Sequence, residues 1–171
     1  MCGYQHFRAA ILNLDYSGSG SLEIFQSHMG SLFPELHKQC AIISNDSLAI
    51  PVSTARAIFP NGVRLFSVDG GHTVAHVQND LAIAQEAVNS GAVILLDDFF
   101  GPHWPSVTEG FFEFMHKTNR RLAPFLIFQN KLFLTTYSEH GAVTKFFGEY
   151  IREKMPPGND NWKYSSLCGL A

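Results

Sequence analysis

Asp97 and Asp98 stand side by side in "VILLDDFF" (93–100), directly after four aliphatic residues and before two phenylalanines. Adjacent carboxylates repel unless something positive offsets them. Successive strand residues point to opposite faces, so one of the two can enter a site while the other meets a loop amide or caps a helix. The plain alternative is that both are solvated loop residues after a strand. A second cluster, Asp69-Gly70-Gly71-His72, sets an imidazole three residues after a carboxylate. A neutral imidazole can act near neutral pH as a general base or as a metal ligand, and equally as a helix-terminal group bonded to backbone. His72 and His76 have the i, i+4 spacing of a zinc-binding pair, but "HTVAH" lacks the glutamate that zinc peptidase chemistry requires. Asn45-Asp46-Ser47 forms a third polar cluster with the composition of an Asx turn. His103 and Trp104, in "GPHWP", lie just past the acid pair, where the tryptophan could stack on a ligand or anchor a loop.

Each cluster follows an apolar run that is too short for a helix. "CAIIS" (40–44), "VRLFSV" (63–68) and "AVILL" (92–96) have the continuous hydrophobicity of strands covered on both faces. Between the last two, residues 73–89 put Val74, Val77, Leu81, Ala84 and Val88 on one stripe, predicting a helix with Gly91 as its C-terminal stop. Strand, helix and strand in so short a span predict a right-handed βαβ unit with parallel strands. Two further helices are expected over 21–36, capped by Ser19 or Ser21, and over 105–117, with Pro105 in its first turn. "PFLIFQNKLFLTTY" (124–137) predicts an antiparallel hairpin with Asn130 in its turn, followed by a helix over 142–154 and an irregular tail. Phe111, Phe112, Phe114, Phe146 and Phe147 are expected in the core. In an open parallel α/β sheet, ligands bind outside the carboxyl ends of the strands. The three polar clusters would then face one crevice.

Composition narrows the classes of function. With 46% hydrophobic residues, the chain can bury a core of its own, and one domain over 1–154 with a tail over 155–171 is expected. A net charge of -3 without a basic run favours a small neutral or polar partner over nucleic acid or an anionic membrane. Cys2, Cys40 and Cys168 are widely spaced and include no CxxC, which argues for a reducing compartment. No signal segment or spanning stretch is visible, so the cytoplasm is the expected location.

The stretch "LFSVDGGHTVAHVQNDLAIAQEAVNSGAVILLDDFFGPHWPSVTEGFFEF" (65–114) resembles the second half of a class I S-adenosylmethionine-dependent methyltransferase. Within that class it is similar to the branch of macrocin-type O-methyltransferases and cephalosporin-hydroxylase-like proteins. There the fourth strand ends in an acid within a D-G/S-x-H motif, and the fifth ends in paired acids. The resemblance extends back through "NDSLAI" and "LNLDYSGSGSLEIF", and forward through the hairpin, covering roughly residues 7–150. It implies a Rossmann-like α/β sheet of order 3-2-1-4-5-7-6, with strands 6 and 7 antiparallel.

The resemblance also implies roles. Asp69 and His72 would orient or deprotonate an acceptor hydroxyl, while Asp46, Ser47 and Asp69 would contact S-adenosylmethionine. Asp97 and Asp98 correspond to acids that hold Mg2+ in metal-dependent members, which carry a further acid where this chain has Gly71. The family's glycine-rich cofactor loop is not found ahead of these elements, and the acid that binds the ribose would fall near Gln5. The expectation is an N-terminally truncated sheet of strands 3 to 7, lacking strand 1, the first helix and most or all of strand 2. Strand 3 would have no neighbour, and it would either collapse onto strand 4 or leave that edge for another chain, giving a homo-oligomer. The implied activity is methyl transfer to a hydroxyl of a small molecule. The alternative is a non-catalytic domain serving as an interaction or structural unit.

Overall fold

A computed structural model of the chain describes residues 10–12, 21–117 and 119–154. It begins with β1 (Ala10–Leu12), α1 (Leu22–Leu32) and α2 (Pro34–His37), followed by β2 (Ile42–Ser44) and α3 (Ala55–Ile58). The larger part follows as β3 (Val63–Val68), α4 (Val74–Ala87), β4 (Val88–Leu96), α5 (Pro105–Met115), β5 (Leu122–Phe128), β6 (Lys131–Thr136) and α6 (His140–Lys154).

The main sheet has the order β3-β4-β6-β5. β3 and β4 run parallel, while β6 pairs antiparallel with both β4 and β5. This is the mixed α/β sheet expected from the resemblance, with the hairpin inserted so that its second strand lies inside. The apolar runs explain the placement. Ile94 and Leu96 on β4 and Leu132 and Leu134 on β6 are at most 1% exposed, because they share the face covered by α4 and α5. Val93, Leu95 and Phe133 on the other face are only half-buried, short of the full two-sided cover that the continuous apolar runs predicted.

α4 supplies one cover. Thr73 is extended, and its hydroxyl accepts the His76 N–H, capping the helix. Val77, Leu81 and Ala84 then press onto β3 and β4 together with Phe99, Val107, Phe111 and Phe114. Burying each large member of this cluster contributes about 1.5–3 kcal/mol. A second apolar cluster joins Ile50, Ala55, Phe59, Ile83 and Ala87, with Val63 and Phe66 leaning on it from β3.

Several expectations are corrected. Helix α4 ends at Ala87 rather than at a Gly91 stop, because Val88 is already extended and opens β4. Gly91 instead lies in an irregular stretch of β4, where pairing jumps from Val63↔Val88 to Leu65↔Val93, and its φ of 72° explains the glycine. The first predicted helix is cut in two at Pro34, with Ser21 as its N-cap. Phe111 and Phe114 are core residues, but Phe112 and Phe146 are 42% and 63% exposed. Phe147 is half-buried, its ring 5.2 Å from that of Phe125.

The largest correction concerns the strand after Cys40. β2 neither lacks a neighbour nor collapses onto β3; it pairs in parallel with β1, from Ala10↔Ile42 to Leu12↔Ser44. Ile43 packs on the second apolar cluster, against which β3 also leans. Among the described residues the two sheets thus share a core without sharing a hydrogen-bond ladder, and β3 remains an edge. The predicted tail, 155–171, lies outside the described residues, as do Gln5 and Ser19.

Candidate active site

The carboxyl ends of β3 and β4 are tied together where the Asp97 N–H donates to the Val68 carbonyl at 3.0 Å. Asp69 leaves β3 there, and Gly70 and Gly71 lead to His72 just before the α4 cap. A small cleft between the two strand ends is lined by Val68, Asp69, Gly71, His72, Leu96 and Asp97.

The adjacent acids part company at this point. Asp98 has a left-handed backbone, φ 54°, which a short polar side chain tolerates better than most. Its Oδ2 lies 3.1 Å from His72 Nε2. A carboxylate only accepts, so in this pairing the imidazole carries its proton on Nε2. The His72 ring stacks on Trp104, with centroids 4.2 Å apart and planes 16° apart. Asp97 turns instead to the hairpin, where its Oδ2 accepts from Lys131 Nζ and its Oδ1 accepts from Asn130 Nδ2 at 3.0 Å. The charge that offsets the pair is therefore Lys131, which came from a strand 34 residues away.

Asp69, His72 and Asp98 each present a ligand atom, and these atoms lie within 4.8 Å of one another. Burial first, and then the charge of Asp97, raise the Asp69 carboxyl above its ordinary 3.8, against the pull of Lys131; Asp98 adds to the rise and His72 opposes it. Asp69 is itself exposed, so the burial behind this rise is partial. Carboxylates crowded in this way fit a divalent cation, whose charge would relieve them.

Gly71 has a steric reason. A Cβ there would lie 2.5 Å from the His76 ring. An acid at that position cannot coexist with His76 as it stands. His76 is fixed from both sides, with Nδ1 2.7 Å from Thr73 Oγ1 and Nε2 3.1 Å from Asp46 Oδ1. Asp46 also caps the turn over residues 47–49 by accepting the Leu48 N–H at 2.9 Å, the Asx geometry read from the sequence. Ser47 is buried beneath it, beside Asp80. His72 and His76 thus serve different neighbours and do not converge as a pair.

The structure brings Asp69, His72, Asp98 and Trp104 into one assembly, with Asp97 behind it and Asp46 and Ser47 on the other flank of the α4 N-terminus. Sequence reading did not single out Lys131 or assign Asn130 anything beyond a turn. The signal available was chemical: paired acids demand donors, and the hairpin tip carries an amide and an ammonium.

Comparison with known proteins bears on what the assembly is for. A family described as a methyltransferase domain matches residues 5–99, more than half of the chain. The chain belongs to this methyltransferase-domain family. Among solved structures, the MycE methyltransferase from the mycinamycin biosynthetic pathway, in complex with Mg and SAH, aligns at a TM-score of 0.51 and 16% identity. The same enzyme with Mg, SAH and mycinamycin VI aligns at 0.52 and 17%. Each alignment covers 77% of this chain and 45% of the other, so the domain spans under half the length of these relatives. At such identities the likeness is one of fold. A search of curated proteins found no match. Among the described residues, no helix of the domain is long and apolar enough to cross a membrane.

Proposed function

We propose that the domain carries out transfer of the methyl group of S-adenosylmethionine to a hydroxyl of a small molecule. The observation that carries this reading is the Asp98–His72–Trp104 assembly beside Asp69 at the carboxyl ends of two parallel strands, where α/β sheets take their ligands. The MycE complexes with SAH and Mg support it through a shared fold.

In this mechanism the acceptor oxygen attacks the methyl carbon as the carbon–sulfur bond breaks, and the sulfur leaves with the bonding pair as S-adenosylhomocysteine. The sulfonium is already a good leaving group, so the protein contributes mainly proximity and orientation. His72, its Nε2–H held by Asp98 and its ring stacked on Trp104, takes the hydroxyl proton on Nδ1. Asp69 orients the acceptor and faces the methyl donor, and Asp46 contacts the cofactor's adenine side. Ser47, expected to join it, is 1% exposed and bonded to Asp80, so it supports that turn from beneath instead. Asp69 and Asp98 would hold Mg2+, which supplies Lewis-acid polarisation of the acceptor oxygen when bound. Asp97, its charge offset by Lys131, completes the polar network behind that site.

Isothermal titration of the chain with S-adenosylmethionine tests this reading, and micromolar binding is the expected result. A second reading, a non-catalytic interaction domain, is favoured by the β3 edge, which no described strand pairs and where Leu65 is 53% exposed. That edge suits pairing with a second copy of the chain. No cofactor binding, together with self-association through β3, would favour the second reading over the first.

A further inference from the structure

We propose that Asn130, at the tip of the β5–β6 hairpin, is a positioning residue that aims Asp98 at His72. Asn130 Nδ2 donates to both acids, to Asp97 Oδ1 at 3.0 Å and Asp98 Oδ1 at 3.1 Å, and its carbonyl accepts the Phe99 N–H at 2.8 Å. One amide nitrogen carries two hydrogens, so a single group can bridge two carboxylates that would otherwise swing apart.

The usual reason for asparagine in a hairpin turn does not apply here. Gln129 takes the left-handed backbone, φ 54°, and Asn130 does not. Its side chain is therefore not there to relieve the turn. The torsion of a carboxylate about its last bond is soft and roughly two-fold. Nothing intrinsic to Asp98 directs Oδ2 toward His72. With Oδ1 held by Asn130, the other oxygen meets Nε2 at 3.1 Å, and the imidazole is held in the Nε2–H tautomer. Phe99, fully buried next door, anchors the same loop to the hairpin, so the clamp rests on a rigid base. Lys131 donates to Asp97, whereas the hairpin's donor to Asp98 is the Asn130 amide, and the aiming falls to Asn130.

The inference rests on the proposed role of Asp98 and His72, and two measurements on the full chain separate the two claims. Alanine fits the backbone at 130, so Asn130→Ala removes the amide while keeping the turn. The first measurement is long-range proton–nitrogen NMR of the histidine rings in the metal-free protein. Wild type is expected to show His72 as the Nε2–H tautomer, and Asn130→Ala and Asp98→Asn are each expected to convert it to a mixture. An unchanged single tautomer in Asn130→Ala overturns the positioning role, whatever the metal result. The second is Mn2+ titration followed by electron paramagnetic resonance. Asp98→Asn should abolish binding and Asn130→Ala should weaken it about 10-fold, the effect typical of groups that orient a ligand. Binding equal to wild type in Asn130→Ala alone also counts against the proposal. A wild type that binds no Mn2+ sinks the cation reading, and the tautomer still decides the role of Asn130. Far-ultraviolet spectra and a melting temperature within a few degrees of wild type exclude simple unfolding.

Discussion

At the scale of single residues, the site turns on how one carboxylate is told apart from its neighbour. Asp97 and Asp98 are chemically identical and adjacent, yet one accepts from Lys131 and the other meets His72. The difference comes from the left-handed turn at Asp98 and from the donors at the hairpin tip. If His72 takes the acceptor proton, His72→Ala should lower kcat by about 10²–10⁴-fold, the typical worth of a positioned base. KM for S-adenosylmethionine should move little, because the imidazole acts on the acceptor. Steady-state assays with a hydroxyl acceptor found by screening would check this, and a variant with unchanged kcat would assign the proton to another group. All of Asp46, Ser47, Asp69, His72, Asp97 and Asp98 were legible as candidates, since each follows an apolar strand. Their partners were not, because Lys131 and Asn130 reach the acids only through the antiparallel insertion of β6 beside β4.

At the scale of elements, α4 carries both the site and much of the core. Asp80 sits on its buried side at 9% exposure, and burial raises its carboxyl above the ordinary 3.8 despite the hydrogen bond from Ser47 and the nearby His76. A raised folded value means that the folded chain binds more protons than the unfolded one. Stability is therefore greatest below the ordinary aspartate value and declines as pH rises through the folded one. Asp80→Asn removes that decline while an amide can still meet Ser47. The variant should melt higher than wild type at pH 7, with the gap closing near pH 3.8; calorimetry across that range would test it. α4 and α5 meet at Gly110, where a Cβ would lie 2.9 Å from Val77 and 3.0 Å from the Val74 carbonyl. Gly110→Ala should destabilise the fold by about 1–3 kcal/mol through overpacking, measurable by urea unfolding. The helix itself was readable from its stripe, and its end was not. Val88 could continue the apolar stripe or open a strand, and pairing with Val63 settled the matter.

At the scale of the molecule, the notable feature is a sheet whose β3 edge no described strand pairs. β3 contributes Val68 to the main core but leaves Leu65 exposed, and Ile43 of β2 packs with Val63 and Phe66 of β3 on the second apolar cluster without β2 joining the ladder. If the edge associates two chains, sedimentation should show a concentration-dependent dimer, and Leu65→Lys should shift the equilibrium to monomer, as charged residues do on natural edges. A monomer at all concentrations in wild type would remove the homo-oligomer from consideration.

The sequence by itself determined the α/β class, the parallel β3–α4–β4 unit, the hairpin and the positions of the candidate acids. These follow from local hydrophobic period and from the polar residues that must end a buried strand. The tertiary structure alone decided that β1 pairs with β2, that Gly91 serves an irregular strand rather than a helix end, and that Asp98 rather than Asp97 meets His72. Each of these depends on groups distant in sequence competing for the same hydrogen bonds, and no periodicity along the chain records which partner wins.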